Sequence, residues 1–350
     1  MGGVSAEHAI SLRSAEAVTK GLERLGHQVL TVAISKAGRW LLGDMTGLLA
    51  RAAHELVEVP PDAGRAVTMA AAGAGTGGSL LYLDGGNEKH GDFDLAFPVL
   101  HGPGGEDGSI QGLFESMGVP FVGAGSAASA IAMDKLVMKT MAAAADIEQV
   151  EFLCAGDDDA ALLGGRIEAA FGFPCFVKPA ALGSSVGISK VETAAGLGPA
   201  LSEARRWGPR VVVERAVRAR EVELSLLGTT QPQIAPAGEV VPDTRFYDFD
   251  TKYVNTGAGL LVPAELERPT IDRLENLALR VWNLIGCTGM LRVDFFIEEG
   301  RVLLNEANTI PGFTEISMYP RCWKAGGLGM SELLARLIDT AMERGAQPPA

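Results

Sequence analysis

The pattern of apolar and polar positions changes about one third of the way along the chain. In the first third, the spacing predicts a helix from Ser11 to Leu25, closed by Gly26. Strands are predicted from Gln28 to Ile34 and, as an apolar run, from Phe93 to Leu100. Helices that alternate with buried strands are typical of an α/β domain with a parallel sheet. We therefore expect the chain to begin with such a domain.

Beyond this region the pattern favours an α+β arrangement. A helix is predicted from Ser126 to Ala144, and a strand from Phe173 to Lys178 runs into the glycine-serine loop at 180–187. Short strands follow from Val211 to Glu214 and from Glu221 to Leu227. The change in pattern predicts domain boundaries near residues 124 and 216. The predicted domains are 1–123, 124–215 and 216–350.

The last part of the chain contains an aperiodic stretch between regular elements. Residues 243–260 mix aromatic residues, charges and glycine, which is typical of a mobile active-site loop. A helix is then predicted from Glu265 to Ile285, followed by a hairpin and a helix from Met330 to Met342. The loop is thus expected to lie beside a folded α+β domain.

Composition narrows the choice of function. The 350 residues are 47% hydrophobic and 21% charged, which fits a globular protein of two or three domains. A net charge of -13 argues against nucleic acid as a partner. The four cysteines lack metal-type spacing and are expected to be buried, reduced thiols. Since neither a signal peptide nor a membrane-spanning stretch is apparent, the sequence predicts a cytosolic protein.

The sequence does not contain a convincing dinucleotide-binding or Walker A motif. Gly73, Gly75 and Gly78 form a formal GxGxxG, but the strand-like run from Ser79 to Leu83 follows where a dinucleotide site needs a helix. The chain also lacks a Walker A sequence. ATP, if used, must be bound in another way.

The predicted hairpin around residue 299 carries the most informative polar residues. If its turn is Glu298-Glu299-Gly300, even-numbered positions share one face. These positions are Arg292, Asp294, Glu306 and Asn308. Three oxygen donors beside a cation suit Mg²⁺ bound with nucleotide phosphates, and Glu306 could bridge two ions. A solvated polar face with cross-strand pairs is the alternative interpretation.

Two loops add further candidates. In Thr309 to Met318, Pro311-Gly312 turns the backbone, so the Gly312 N–H could face an oxyanion beside Arg292. Lys178 ends a buried strand, and Gly183, Ser184, Ser185 and Gly187 follow in a loop able to fold over phosphates. For Lys178, a surface lysine beside a flexible linker is the alternative interpretation, and for Lys135 the alternative is one of many solvated helix lysines.

Two glycine-rich segments precede helices near the start of the chain. His101 to Gly108 follows an apolar strand, at the strand end where α/β proteins bind ligands. Gly2-Gly3-Val-Ser-Ala-Glu7-His8 precedes the first helix. A capping or turn role is the alternative for a single Glu or His in such places.

Taken together, these segments resemble the D-alanine–D-alanine ligases of the ATP-grasp superfamily. The matching runs, in chain order, are residues 2–8, HGPGGEDGSIQG at 101–112, Met133-Asp134-Lys135, FVKPAALGSSVG at 176–187, Tyr247 to Tyr253, RVDF at 292–295 and NEANTIPGFTEISM at 305–318. The resemblance covers nearly the whole chain. It implies a Rossmann-like (pre-ATP-grasp) first domain followed by a two-subdomain ATP-grasp fold.

The resemblance also implies roles for ATP and metal. The expected metal ligands for two Mg²⁺ or Mn²⁺ ions are Asp294, Glu306 and Asn308. The expected ATP-binding residues are Lys135, Lys178, Ser184, Glu214, Glu221, Lys252 and Phe296. Glu214 and Glu221 match positions that hold adenine and ribose, and Phe296 would pack on the base. A monovalent cation remains open.

For the substrates, the resemblance implies that ATP converts the first D-alanine to an acylphosphate, which the amine of the second attacks. Glu7, Ser184 and Tyr253 would hold the first substrate near His101, while Arg292 and the Gly312 N–H form the oxyanion site. The second substrate's carboxylate would be bound by Ser317 and Met318. Closure of loop 243–260 would exclude water. Lys252-Tyr253 favours an amine, and hence D-alanine, over D-lactate as second substrate, with D-serine also open.

One departure concerns the start of the chain. The family has a buried strand before the Gly-Gly pair, whereas here Met1 stands at that strand's end. We expect the first sheet to lack a strand, and hypothesise that the natural protein begins upstream. Intact mass of the native protein would test this. A homodimer is a further implication of the resemblance.

Two rival interpretations differ in class. One is an ATP-grasp ligase acting on another amino or hydroxy acid, and the other is an inactive protein that senses D-amino acids or nucleotide. The set Glu7, Ser184, Tyr253 and Ser317 is complete, which disfavours the first. The metal ligands are also complete, which disfavours the second.

Overall fold

The structure is a computed structural model that describes residues 1–71, 77–84, 88–183, 186–241 and 259–345. The helices among these residues are α1 (His8–Arg24), α2 (Thr46–Ala52), α3 (Ser109–Ser116), α4 (Ser126–Met133), α5 (Lys135–Ala144), α6 (Ala160–Ala170), α7 (Leu197–Arg205), α8 (Arg268–Leu284), α9 (Met318–Ala325) and α10 (Met330–Gly345). In this part of the chain, none is both long and apolar enough to cross a bilayer.

The strands form three sheets. They are β1 (Val32–Ile34), β2 (Trp40–Leu42), β3 (Arg65–Ala71), β4 (Gly78–Tyr82), β5 (Lys89–Phe93), β6 (Phe152–Cys154), β7 (Cys175–Pro179), β8 (Ser189–Val191), β9 (Val211–Arg215), β10 (Arg220–Gly228), β11 (Gln233–Ile234), β12 (Gly238–Val241), β13 (Gly259–Leu261), β14 (Gly289–Glu298) and β15 (Arg301–Asn308). The sheet orders are β1-β2-β3-β4-β5, β6-β9-β7-β8 and β13-β12-β10-β14-β15, with β11 beside β10.

The first region differs in detail from the expected parallel sheet. Its five-stranded sheet is antiparallel, and the parallel pairing consists of isolated bridges that join Gly2 to Ile34 and to Leu100, and Ala96 to Phe121. The predicted strand from Phe93 to Leu100 was wrong as a continuous strand, because β5 ends at Phe93. The predicted strand from residue 28 shortens to Val32–Ile34.

Gly2 lies where three segments meet, and this explains the glycine. Its φ is +85°, and a Cβ there would collide with the carbonyl oxygen of Ile34. The Met1 amino group donates to the carbonyl of Val32 (3.1 Å), and burial lowers its pKa to about 5. The Gly2-Gly3 pair therefore threads the backbone between neighbours that leave no space for a side chain at Gly2.

The helix predicted from Ser126 to Ala144 is two helices. Asp134 breaks it with an extended backbone, and its carboxylate accepts hydrogen bonds from the N–H groups of Leu136 and Val137. Lys135 consequently stands in the first turn of α5, with its N–H donating to the carbonyl of Ala180 (2.8 Å). The break thus ties α5 to the start of the loop after β7.

The third sheet and the first helix share one core. Trp282 and Val281 of α8 pack on one face of the β10–β14 sheet. On its other side Tyr319 of α9 belongs to a cluster that also contains Leu12 of α1 and Leu334 of α10. A Cβ added at Gly21 of α1 would collide with Leu334, so this glycine permits the close approach of α1 and α10. The end of the chain therefore braces the N-terminal region.

The cysteine expectation holds for three of four residues. Cys175, Cys287 and Cys322 are buried, and each is a free thiol. Cys154 is also free, but it is exposed, so the prediction that it is buried was wrong. It ends β6, an edge strand of the second sheet, which among the described residues has a neighbouring strand on one side only.

Candidate active site

The candidate site is a cavity of about 80 Å³ between the N-terminal region and the third sheet. It is lined by polar and charged residues from separate parts of the chain, namely Glu7, His101, Glu106, Lys135, Arg292, Glu306 and Asn308, together with Gly183 and Gly312. Glu7 immediately precedes α1, Lys135 opens α5, and the last charged residues stand on β14 and β15. Residues separated by up to three hundred positions therefore share one small polar space.

The hairpin forms the floor of this cavity, with a register that differs from the prediction. The turn has two residues, because Glu298 pairs with Arg301, and both Glu299 (φ +50°) and Gly300 (φ +80°) are left-handed. A β-bulge between Asp294 and Phe295 then shifts the register. The predicted three-residue turn was wrong, but the bulge restores the even-numbered pairing.

The restored pairing brings the predicted polar set together. Arg292 pairs with Asn308, and Asp294 pairs with Glu306. Asp294 is 1% exposed and accepts from Asn308 Nδ2 (3.1 Å) through Oδ2. Because that bond uses the amide nitrogen of Asn308, its carbonyl oxygen remains available as an acceptor. The donor set is therefore two carboxylates and one amide carbonyl, and hard oxygen donors of this kind suit a divalent cation such as Mg²⁺.

The carboxylates are held by a partly buried arginine. Arg292 donates from Nε and Nη2 to the two oxygens of Asp294, both at 2.7 Å, and Nε lies 2.9 Å from Glu223 Oε2. Although burial alone would lower it, the charges of Asp294 and Glu223 raise the pKa of Arg292 well above its usual value. Its charge is thus permanent and its orientation fixed. The described residues contain no cluster of three His, Cys, Asp or Glu side chains arranged to hold a metal ion.

A carboxylate pair faces Arg292 from the N-terminal region. Glu7 is 7% exposed and lies so close to Gly102 and Gly183 that a Cβ at either position would approach its Oε2 to 2.6 Å or 3.0 Å. Glu106 accepts from the Gly102 N–H (2.6 Å). Burial, and then the charge of Glu7, raise the pKa of Glu106 well above its usual value. The sequence motifs point to Glu7, whereas no role was predicted for Glu106, which stands in the HGPGGEDG run at 101–108.

His101 lines the cavity together with Glu7 and Glu106. It is 6% exposed, and its Nε2 lies 3.2 Å from Ser14 Oγ. Burial lowers its pKa to about 4. The imidazole is therefore neutral at physiological pH and adds no charge next to Glu7.

The lysines lie on the other side of the cavity. Lys135 Nζ donates to the Leu182 carbonyl (2.6 Å) and is 3.9 Å from Glu306 Oε2. Lys178 Nζ donates to Glu214 Oε2 (2.6 Å). The predicted phosphate-binding lysine and the predicted adenine-binding carboxylate are thus in direct contact.

The remaining nucleotide candidates are on the third sheet. Glu221 of β10 and Phe296 of β14 are direct cross-strand partners, both partly buried. Cross-strand partners lie close enough to contact one ligand from one face of a sheet. They therefore stand together, as the sequence-derived roles for ribose and base require.

The Gly312 loop leads into α9. A Cβ at Gly312 would be 2.9 Å from Ser317 Oγ, which accepts from the Thr314 N–H (3.1 Å). Met318 opens α9, and its side chain is buried against Gly238. Only the backbone of Met318 can therefore serve the site. The predictions for Ser184, Lys252 and Tyr253 fall outside the described residues.

Comparison with known proteins gives this geometry a family. The model "D-ala D-ala ligase N-terminus" matches residues 1–124, and "D-ala D-ala ligase C-terminus" matches residues 141–339. A D-alanine–D-alanine ligase of Heliobacterium modesticaldum is 39% identical over 98% of this chain and 93% of its own length. The D-alanine–D-alanine ligase structure from Coxiella burnetii is 32% identical over 98% and 94% of the two chains, with a TM-score of 0.81.

A relative with a different printed substrate is also similar. The structure of the VanG D-Ala:D-Ser ligase from Enterococcus faecalis has a TM-score of 0.84 and 31% identity, and covers 97% of each chain. The matched lengths span both the N-terminal region and the hairpin that carries Arg292. This chain has the ATP-grasp fold of these ligases and belongs to the D-alanine–D-alanine ligase family.

Proposed function

We propose that this protein joins two molecules of D-alanine into D-alanyl-D-alanine at the expense of ATP, through D-alanyl phosphate, for peptidoglycan precursor synthesis. The observation that carries the proposal is one cavity, in a family member, that is lined by Glu7, Arg292, Glu306 and Asn308. Asp294 lies directly behind this lining, hydrogen-bonded to Arg292 and Asn308. A carboxylate for an ammonium group, a fixed cation and oxygen donors for a metal are the groups that this reaction needs.

ATP is assigned to the face between the second and third sheets. Glu214 and Glu221 are the proposed acceptors for the adenine amino group and the ribose hydroxyls, and Phe296 packs on the base. Lys135 and Lys178, with Lys252, are the proposed partners of the phosphates. The arrangement of Glu221 beside Phe296 supports this assignment.

Asp294, Glu306 and Asn308 are the proposed ligands for two Mg²⁺ or Mn²⁺ ions. Such ions neutralise charge on phosphate oxygens when bound. The protein's own contribution is to hold these oxygen donors on one face. Arg292 fixes both oxygens of Asp294, and Asn308 donates to one of them.

Glu7 is the proposed acceptor for the ammonium group of the first D-alanine, with Ser184 and Tyr253 completing that site and His101 beside it. Because burial keeps His101 neutral at physiological pH, it does not compete with the ammonium for Glu7. Transfer of the γ-phosphoryl group to the carboxylate yields the acylphosphate. This activates the carbonyl carbon for attack.

The second D-alanine is proposed to bind by its carboxylate at Ser317 and the N–H of Met318. The first N–H groups of a helix have no intrahelical acceptor, so the start of α9 offers free donors to an anion. Its deprotonated amine attacks the acyl carbon, a tetrahedral oxyanion forms, and inorganic phosphate departs. Arg292 and the Gly312 N–H are the proposed donors to that oxyanion.

A D-alanine:D-serine or D-alanine:D-lactate ligase is the second candidate. The D-Ala:D-Ser relative at 31% identity favours keeping D-serine in view.

A location in the cytoplasm, where ATP is available, and a homodimer are parts of the proposal. Nucleic acid and membrane are not proposed as partners. Sedimentation of the purified protein tests the dimer.

The function is tested by incubating the purified protein with ATP, Mg²⁺ and D-alanine. We expect phosphate release and D-alanyl-D-alanine, identified by mass spectrometry. Parallel reactions that add D-serine or D-lactate identify mixed products. Dominance of a mixed product would support the second candidate, and a folded protein that forms no dipeptide or depsipeptide would refute both.

A further inference from the structure

Lys139 is a lysine buried beneath the proposed nucleotide site. It lies one helical turn after Lys135 on α5 and is 2% exposed. Fully buried lysines are rare, because removing an ammonium group from water is costly unless an opposite charge compensates. Lys139 therefore needs a nearby opposite charge if it is to be charged when buried.

Its partner is the carboxylate that also binds Lys178. Lys139 Nζ lies 3.3 Å from Glu214 Oε1, whereas Lys178 Nζ lies 2.6 Å from Oε2. Glu214 is 2% exposed, and Lys178 is more accessible, with 14% of its side chain exposed. One carboxylate thus has a lysine on each oxygen, of which only Lys178 is near solvent.

The charges of this triad do not cancel, and that excess suits an anion. Burial lowers the pKa of Lys139, and the charge of Glu214 opposes that shift. With both lysines charged, two lysines and one glutamate leave one positive charge. Burial alone would raise the pKa of Glu214, but Lys139 and Lys178 lower it to about 2, so the carboxylate is ionised at physiological pH. If Lys139 were absent, Glu214 would neutralise Lys178, and an incoming phosphate would meet no net charge.

We propose that Lys139 is a positioning residue for the nucleotide: it is the counter-ion of Glu214, and so leaves the charge of Lys178 available to the phosphates of ATP. This rests on the proposed function, in which Lys178 binds phosphate and Glu214 binds adenine. Lys139 itself touches neither ligand, since it lies beneath Glu214. It keeps Glu214 ionised and in place while Lys178 turns from the carboxylate to the phosphate.

The test is a double-mutant cycle measured as ADP affinity by calorimetry. We expect Lys139→Met to weaken ADP binding on the order of tenfold, because one positive charge is lost near the phosphates at intermediate effective dielectric. The additional change Glu214→Gln should restore much of that loss, since Lys178 is then no longer neutralised. Adenosine, which has no phosphate, should be affected much less than ADP by Lys139→Met.

A purely structural role for Lys139 predicts otherwise. Removing a second charged group would then not restore affinity, and adenosine and ADP would weaken alike. Either result, or wild-type ADP affinity in Lys139→Met, overturns the inference. In catalysis, the same variant should raise KM for ATP far more than it lowers kcat.

Controls separate the possible failures. Lys190→Met removes an exposed lysine that pairs with Glu192 (2.7 Å) on the same sheet, and should not alter ADP affinity. If Lys139→Met does not fold, Lys139→Gln, which retains a donor at the same place, replaces it in the cycle. If the wild type neither binds ADP nor makes dipeptide, the proposed function fails. If the wild type does both and the cycle shows no rescue, only the inference about Lys139 fails.

Discussion

Two charge clusters near the cavity have opposite excess charge. The hairpin cluster combines Arg292 with Asp294, Glu223 and the cavity-facing Glu306, so acid predominates. The lysine cluster combines Lys139 and Lys178 with Glu214, so base predominates. A metal–nucleotide complex needs both, because cations bind to carboxylates and phosphates bind to lysines. The difference shows how an acidic protein can still bind a polyanion.

The largest expected effect comes from removing Arg292, the guanidinium of the hairpin cluster. Arg292→Met removes the positive charge that pairs with the buried carboxylates of Asp294 and Glu223, and it removes the proposed oxyanion donor. We expect kcat to fall about 10²- to 10³-fold and stability to fall by about 3 kcal/mol. Steady-state kinetics and urea unfolding measure the two.

Arg301→Met serves as the matched control for that change. Arg301 is on the same hairpin, but it is half exposed, and its contact to Glu148 is 3.7 Å long. We expect kcat to be unchanged and stability to change by less than about 1 kcal/mol. Equal losses in both variants would mean that the hairpin is generally fragile and that Arg292 has no special role.

In the lysine cluster, Lys178→Met should weaken ATP binding. A charged hydrogen bond to phosphate is worth about 1.5–3 kcal/mol, so KM for ATP should rise about 10- to 100-fold. The KM for D-alanine should change little, because Lys178 does not line the cavity that contains Glu7. Initial rates with each substrate varied in turn measure this. A rise in the KM for D-alanine alone would mean that Lys178 serves the amino-acid substrate and not ATP.

Two carboxylates, Glu214 and Glu106, should respond oppositely to pH. Glu214 has a lowered pKa of about 2 in the folded protein, so its stabilising contribution is present above the unfolded value near 4.5 and is lost as pH falls from about 4.5 towards 2. That contribution is on the order of 3 kcal/mol. Urea unfolding between pH 7 and pH 3 should show a smaller loss of stability in Glu214→Gln than in the wild type.

Glu106 is the opposite case, with a pKa raised by burial and by Glu7. Its contribution is complete below the unfolded pKa and is lost as pH rises through the folded pKa. Glu106→Gln should therefore reduce the loss of stability between pH 5 and pH 8, which urea unfolding also measures. An unchanged pH dependence in this variant would show that Glu106 is ionised at neutral pH in the folded protein.

Several elements could be predicted because their signal is local. Helices α1, α8 and α10 follow from apolar spacing and ended within a few residues of expectation. Their boundaries needed no knowledge of distant contacts. The polar hairpin was also recognisable, since alternation along a strand places even positions on one face.

Other features were not predictable because they depend on distant partners. The two-residue turn and the bulge after Asp294 compensate each other, and only the packed sheet decides that combination. The break at Asp134 needed the carbonyl of Ala180 as a partner for Lys135, and the segment after β5 lost its strand character because its neighbours bridge it only at single residues. Such contacts cannot be read from periodicity.

By itself, the sequence determined most of the chemical groups that line the cavity, though not Glu106, and which family motifs carry them, since residue type and short spacing are encoded locally. Only the tertiary structure decided their charge states and partners. Glu106 and Glu214 are the same residue type, yet burial beside Glu7 raises the pKa of one, and two lysines lower the pKa of the other. The field at a buried carboxylate is set by groups that the fold brings from elsewhere in the chain.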